Sequence, residues 1–278
     1  LNEDGWRVGK PSENIVIRRI RSGSGHGGVT VGSEMSGGVR NVFAFDSDLT
    51  GDTALRIKTL PGRGGEIRNI HYDTIRIAAH NLALEVTTNY PSPTVTAPNF
   101  TLETRQRIPV MSDLFYSHIS GTVVGTAVLN KVGKGAAIYM EGVPANVLQL
   151  PYNNVPGAPA TAAAPIHNVH MTDFVITTDN TWNWFDSAYM QRFPDDYSTN
   201  PTTSLSAAEL AVLNTPAPGY KPSPPYGPTS TFNAKSCLDV CPIKMKGVSV
   251  TATVPGGPSL SVNKGTFSCV ATDVRECN

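Results

Sequence analysis

The sequence predicts an all-β protein in which short strands stack as a parallel β-helix. Two observations favour this fold: a composition typical of strands and turns, and a phrase that recurs every 27 or 28 residues with no helical segment between its copies. The chain has 278 residues, which is enough for one large domain or two small ones. We expect a single β-helical domain over residues 1–278.

Composition favours strands and turns and limits the classes of partner. Only 16% of the residues are charged, and the chain holds 25 Gly and 22 Pro among many Thr, Ser, Asn and Val. The 22 basic residues balance the 22 acidic ones, whereas nucleic-acid-binding proteins normally carry a basic excess. No apolar run approaches the roughly 18 to 20 residues of a membrane helix. We therefore predict neither a nucleic-acid nor a membrane partner.

A short phrase recurs along the chain: a polar residue, then Asn or Asp, then Ile, Val or Leu, followed by alternating apolar residues. Its copies are Glu13-Asn14-Ile15, Arg40-Asn41-Val42, Arg68-Asn69-Ile70, Ser112-Asp113-Leu114, Ala145-Asn146-Val147 and His167-Asn168-Val169. Second short strands are predicted after the first three copies, at 29–31, 55–57 and 82–84. Strands that stack on their own copies in the next turn form a parallel β-helix.

Two other β-containing folds fit the sequence less well. A β-sandwich would need hairpins closed by two-residue turns such as Asn-Gly, a dipeptide that the sequence lacks. A βαβ sheet would need crossover helices, and the segments between the strands do not show helical periodicity.

The later part of the chain is less regular. Loops are predicted at 91–109 and 152–165, and a long insertion at 178–236 holds one predicted helix at 204–213. Aromatic residues in this insertion either line a sugar groove or, more commonly, anchor the long loop to the scaffold. The alternating segment 248–254 predicts a late strand, after which the cysteine-bearing end of the chain would cover the last sheet edge.

The cysteines all lie near the C-terminus, at Cys237, Cys241, Cys269 and Cys277. Two short-loop disulfides fit this spacing better than a zinc site, although three pairings remain open. Disulfides form in oxidising compartments, so we expect a secreted or periplasmic protein.

One stretch of the sequence indicates a binding site for an anion. Arg56 and Lys58 are two residues apart on a predicted strand, so their side chains share one face while Leu55 and Ile57 share the other. His26 lies between glycines just before an earlier short strand. No local charge in the sequence neutralises the two cations, and this favours an anionic ligand. A solvated strand face is the alternative.

These segments closely resemble the polygalacturonases of glycoside hydrolase family 28. The segments that carry the resemblance are Pro11-Ser12-Glu13-Asn14-Ile15-Val16-Ile17, Gly25-His26-Gly27, Gly32-Ser33-Glu34-Met35-Ser36-Gly37-Gly38-Val39-Arg40-Asn41-Val42, Leu55-Arg56-Ile57-Lys58 and Leu84-Glu85-Val86-Thr87-Thr88-Asn89-Tyr90. The resemblance is strong from Gly5 to Tyr90, moderate in the later strands and weak in the long insertion.

The resemblance implies a right-handed, pectin-lyase-like parallel β-helix that hydrolyses α-1,4-galacturonosyl bonds of polygalacturonate with inversion. It implies that His26 lies beside the catalytic carboxylates, that Arg56 and Lys58 bind the substrate carboxylate, and that Tyr90 contacts the sugar near the cleaved bond. The expected partner is a pectin oligosaccharide. No cofactor and no metal ion are predicted, and the chain is otherwise expected to be a monomer.

The chain departs from the family pattern at the catalytic acid and base. Inverting hydrolysis needs two carboxyl groups about 6.5 to 9.5 Å apart. In the family these belong to an Asn-Thr-Asp motif and an Asp-Asp pair before the histidine, and neither motif precedes His26 here. The nearest carboxylates, at Glu34, Asp46, Asp48 and Asp52, are interpreted as solvated surface groups.

We therefore interpret the chain as a downstream piece of a longer precursor, truncated at its N-terminus. It holds the His and Arg/Lys half of the site, and we expect it to be inactive without an upstream segment that carries the aspartates. A non-catalytic galacturonan-binding β-helix is the main alternative function. A structural repeat protein would not need the cation cluster, and a calcium-dependent lyase would need an acidic metal cluster beside it.

Overall fold

A computed structural model describes residues 8–23, 25–59, 63–88, 109–124, 137–141, 166–179, 243–253 and 260–267. The nine elements named in these ranges are all strands, which confirms the predicted all-β class. They are β1 (Ser12–Arg18), β2 (Val29–Val31), β3 (Val39–Lys58), β4 (Glu66–Thr87), β5 (Val110–Val123), β6 (Ile138–Glu141), β7 (Ile166–Thr178), β8 (Ile243–Ala252) and β9 (Leu260–Phe267). No helix in the described ranges is long and apolar enough to cross a membrane.

The strands form one curled, mostly parallel sheet, in an arrangement consistent with a β-helix. Strands β1, β3, β4, β5, β7 and β8 pair in this order and all in parallel. The short strand β2 pairs with the end of β3, and β6 pairs with the end of β4. We call each level of this stack a rung. In sequence order the described rungs are β1 with β2, β3, β4, β5 with β6, β7, and β8.

The recurring Asn or Asp marks a bend in each rung from β1 to β7. Its copies at Asn14, Asn41, Asn69, Asp113 and Asn168 have left-handed φ values between 53° and 58°. Five residues later, a second column of left-handed residues follows. It consists of Arg19, Asp46, Thr74, His118 and Asp173. Asn and Asp tolerate this conformation better than most residues, so the sequence phrase records where the strand changes direction.

The side chains of the first column also bond to each other from rung to rung. Asn41 donates to the Oδ1 of Asn14 at 2.9 Å, and Asn69 donates to the Oδ1 of Asn41 at 2.8 Å. Asn168 donates in the same way to Asp113. The amide side chain can donate to one neighbour and accept from the other, which explains why Asn rather than Gly recurs at this bend.

The core is built from columns of apolar residues in register. The branched residue after the bend is buried on each rung from β3 to β7, as are the aligned residue of β8 and the inward residues at the ends of β3, β4 and β6. The first column comprises Val42, Ile70, Leu114, Val169 and Ile243, and the second comprises Leu55, Leu84 and Ile138. Around Arg56 and Lys58 the alternate side chains of β3 face away from this core, and these outward positions form the candidate site.

The structure corrects two details of the predicted strands. Segment 29–31 is a separate strand, but 55–57 and 82–84 lie within the long strands β3 and β4, because hydrogen bonding to the neighbouring rungs continues past the bends. The predicted strand at 248–254 begins earlier, at Ile243, and ends at Ala252. Antiparallel β9 pairs with its outer edge. The four cysteines, residues 180–236 of the insertion and the predicted helix lie outside the described residues.

Candidate functional site

Strand β3 places the two predicted cations on one face. Leu55 and Ile57 are fully buried, while Arg56 and Lys58 at the alternate positions are partly exposed. Arg56 pairs with Thr30 of β2 on the preceding rung and with Glu85 of β4 on the following rung. The structure therefore confirms that Arg56 and Lys58 share one face of β3 while Leu55 and Ile57 share the other.

The glycines around His26 let its turn lie directly against β3. A Cβ atom at Gly28 would be 2.6 Å from the carbonyl oxygen of Ala54, and one at Gly27 would be 2.3 Å from Oγ1 of Thr30. The backbone N–H of Gly28 donates to the carbonyl of Thr53 at 2.9 Å. At Gly28 only a residue without a side chain fits so close to β3, whereas the atom nearest to Gly27 is a side-chain hydroxyl of β2. His26 itself is exposed at the start of this turn.

The Arg56 guanidinium contacts both neighbouring rungs. Its Nη1 donates to the backbone carbonyl of His26 at 3.3 Å. Its Nε lies 2.5 Å from Oε2 of Glu85, in an ion pair whose atoms are close but not aligned as a hydrogen bond. The side chains of Arg56 and Glu85 are only 11% and 10% exposed. The histidine turn, the arginine and a carboxylate are thus joined across three rungs.

Glu85 corrects the sequence analysis, which found no local charge to neutralise the cations. It was overlooked because it lies 29 residues after Arg56, and the family resemblance of its segment implies a role only for Tyr90. The signal that would have found it is the stacking itself: Leu84-Glu85-Val86 repeats the alternation of Leu55-Arg56-Ile57 one repeat later. In register, the outward residue of one segment must meet the outward residue of the other.

Glu85 has an unusual electrostatic environment. Burial raises its pKa above the ordinary value for a glutamate, and the positive charges of Arg56 and Lys58 oppose this rise without cancelling it. The negative charge of Asp52 adds to the increase. Asp52 is held near the histidine turn because its backbone N–H donates to the carbonyl of Gly25 at 2.8 Å. Two cations and two carboxyl groups therefore interact at one end of β3.

Comparison with known proteins identifies the family. The sequence profile of the glycosyl hydrolases family 28 matches residues 2–175, which is more than half of the chain. The chain belongs to this family. A "Probable polygalacturonase" of Vitis vinifera is 37% identical over 93 residues, which are 33% of this chain and 19% of the relative. The match thus spans less than a fifth of that relative's length.

The family 28 match includes all the described strands from β1 to β6 and most of β7. It therefore contains His26, Arg56 and Lys58. Tyr90, the fourth predicted site residue, lies outside the described residues, so its distance from the other three stays a prediction.

The outward column of this family 28 chain continues past Glu85 to an aromatic residue. Tyr139 of β6 pairs with Glu85 and is buried, although both positions face away from the apolar columns. Thr87, which pairs with Lys58, is buried as well. The outward face is therefore shielded from solvent beyond Arg56, which distinguishes it from the solvated strand face that the sequence left open. Tyr139 was also missed, since a lone tyrosine outside the recurring phrase gives no signal.

The other carboxylates considered in the sequence occupy ion pairs away from the cation pair. Asp48 contacts Arg76 and Arg21, and the hydrogen bond from Arg76 holds the pKa of Asp48 below its ordinary value. Asp46 lies 3.5 Å from Arg76 and from Arg19. In the described ranges, no group of three or more His, Cys, Asp or Glu side chains is arranged to hold a metal ion.

Proposed function

We propose that this chain forms the anion-binding half of a polygalacturonase site, which acts in the inverting hydrolysis of α-1,4-galacturonosyl bonds of pectin. The observation that carries the proposal is the placement of Arg56 and Lys58 on the outward face of β3, beside the His26 turn, in a family 28 chain. The name of the Vitis vinifera relative supports the same substrate class.

The chemistry of the ligand matches the site. Every galacturonate unit carries a carboxylate, for which Arg56 offers a planar set of donors and Lys58 a compact charge. His26 is exposed at the same place, where its imidazole would meet the catalytic carboxylates and the reacting sugar. Tyr90 would contact the sugar from the following rung, as the family resemblance implies.

The acid and base of the reaction come from outside this chain in our proposal. An upstream segment with the family's aspartates would lie on rungs before β1 and bring two carboxyl groups to His26, at the separation that inversion requires. The 278-residue chain alone would then bind polygalacturonate without cleaving it.

The proposed fold is a closed, right-handed parallel β-helix over residues 1–278, with residues 178–236 as an insertion. We further propose that the protein is secreted or exported to the periplasm. Support comes from the in-register parallel rungs, the two bends in each rung from β1 to β7, and the family match. A low-resolution solution scattering profile that requires a flat, open sheet would contradict the closure.

Two measurements test the function. Reducing ends are counted after the purified chain is incubated with polygalacturonate, alone and joined to an upstream segment that carries the family's two aspartate motifs. We expect release only from the longer form, and release by the shorter chain would overturn its proposed inactivity.

Calorimetric titration of trigalacturonate should show binding that falls at least about tenfold in Lys58→Met. Lys246→Met, an exposed lysine of β8, is the matched control and should bind like the unmodified chain.

A non-catalytic galacturonan-binding protein remains the second candidate. The described carboxylates favour it, since Glu85 is buried against Arg56 while Asp46 and Asp48 are held by arginines. Binding of trigalacturonate together with no hydrolysis by the longer form would establish this candidate over the first.

A further inference from the structure

Glu85 is a buried carboxylate next to the cation pair, and the family resemblance assigns it no role. Glu85 faces outward, because Leu84 and Val86 on either side of it are buried in the core. It is nevertheless almost inaccessible to solvent. Burial of an ionised carboxylate is unfavourable unless a partner compensates the lost hydration, and Arg56 is that partner.

The contact fixes the position of Arg56. The guanidinium is held on one side by the Glu85 carboxylate and on the other by the His26 carbonyl. A long arginine side chain loses considerable rotamer freedom when it binds a ligand, and a contact that orders it beforehand reduces that loss. Glu85 therefore presents Arg56 in one orientation relative to the histidine turn.

The same contact sets the charge that a ligand meets. The charged groups around Glu85 are Arg56, Lys58 and Asp52 of β3, while β6 contributes the neutral Tyr139. With both carboxyl groups ionised, these four ionisable side chains have a formal charge of zero. With Glu85 neutral, their formal charge is +1, which favours a ligand that carries carboxylates.

We propose that Glu85 is a positioning and charge-setting residue of this anion site: it orients Arg56, and the site binds an anionic sugar chain more tightly when Glu85 is neutral. This inference rests on the proposed function, since the ligand is taken to be a galacturonate oligomer. The raised pKa of Glu85 supports it, because Glu85 then takes up a proton at a pH at which exposed carboxylates are still ionised.

The decisive variant is Glu85→Gln, which keeps the shape of the side chain and a hydrogen-bond acceptor but removes the charge. Trigalacturonate affinity is measured by calorimetry between pH 4.5 and 7.5. We expect the unmodified chain to bind more tightly as the pH falls through the pKa of Glu85. At pH 7.5 the variant should bind about three- to tenfold more tightly than the unmodified chain, with a flatter pH profile. Equal or weaker binding by Glu85→Gln with an unchanged pH profile would overturn the proposal.

The chain offers a matched control on the same strand. Glu66 of β4 is exposed and pairs with Arg68 at 3.0 Å, away from the cation pair. Glu66→Gln should leave both the affinity and its pH profile unchanged. A change equal to that of Glu85→Gln would mean that the effect comes from net charge in general, which would also overturn the proposal.

A second measurement separates this inference from the proposed function and does not depend on a ligand. The carboxyl carbon of Glu85 is titrated by NMR in the unmodified chain and in Arg56→Met. Loss of the guanidinium should move the Glu85 titration midpoint to higher pH. If trigalacturonate does not bind at any pH but the midpoint moves, the proposed function fails while the charge coupling stands. An unmoved midpoint would contradict the coupling whatever the ligand result.

Discussion

Asn69 donates a hydrogen bond of 2.8 Å from its side-chain nitrogen to the side-chain oxygen of Asn41, one rung earlier in the stack. Both residues have left-handed backbone conformations, with φ values of 55° and 56°. One residue type thus serves two purposes at the same bend: it tolerates the backbone angle, and it links the rungs through its amide.

Substitutions at Asn41 should separate these two purposes. Asn41→Ala removes the side-chain bonds to Asn14 and Asn69 and places a Cβ-bearing residue without local hydrogen bonding in the left-handed conformation. We expect it to lower the free energy of unfolding by about 2 to 3 kcal/mol. Asn41→Gly loses the same bonds but accepts the backbone angle, so its loss should be about 1 kcal/mol smaller. Urea unfolding measures both, and equal losses would show that the backbone angle contributes nothing.

The glycine turn before β2 gives a second prediction. Gly28→Ala should lower the free energy of unfolding by about 1 to 3 kcal/mol, because its Cβ would be pushed against the Ala54 carbonyl. It should also weaken trigalacturonate binding, since the turn carries His26. Gly25→Ala is the matched control, because a Cβ there meets no atom within 4 Å. The control should change stability by less than about 0.5 kcal/mol. Similar losses in both variants would show that close packing is not the reason for the glycines.

His118 should make stability depend on pH near neutrality. Its Nδ1 lies 2.7 Å from Oδ1 of Asp73 on the preceding rung, and its Nε2 lies 3.6 Å from Oδ2 of Asp173 on the following rung. The hydrogen bond to Asp73 and the charges of both aspartates raise the pKa of His118 in the folded state. Its stabilising contribution is therefore complete below the unfolded pKa of about 6.5 and is lost as the pH rises through the folded pKa.

The measurement for His118 is the urea midpoint of the unmodified chain and of His118→Gln from pH 5.5 to 8.5. The difference between them should be largest at pH 5.5 and should shrink as the pH rises. A difference that stays constant over this range would mean that the protonated imidazole does not contribute.

Two stacked tyrosines in the core give the last prediction. The rings of Tyr72 and Tyr116 are 5.3 Å apart and fully buried, and their hydroxyl groups make no hydrogen bond within the described part of the chain. Burial raises the pKa of both phenols well above the ordinary value. Removal of an unpaired buried hydroxyl relieves its lost hydration, so Tyr116→Phe should raise the free energy of unfolding by about 1 kcal/mol.

Tyr72→Phe should act in the same direction, because its environment is equivalent. Thermal or urea unfolding decides the matter. A loss of stability in either variant would show that its hydroxyl has a partner, such as a buried water molecule.

Much of the fold could be predicted from the sequence because its causes are local. The alternation around Arg56 and Lys58 depends only on the geometry of a strand, and the Asn phrase depends on a backbone preference of that residue. The continuity of β3 and β4 could not be predicted in this way. A local pattern shows two apolar segments with a polar break, whereas hydrogen bonding to the neighbouring rungs decides whether the strand continues through that break.

The sequence by itself determined the strand class, the repeat, the family motifs and the face on which the two cations lie. Only the tertiary structure decided that Arg56 meets Glu85 and the His26 carbonyl, and that Glu85 is buried. The physical reason is register: residues about thirty positions apart become neighbours only when the rungs are stacked. The pair of cations that the sequence predicted as uncompensated is therefore one part of a cluster in which a buried carboxylate holds the arginine.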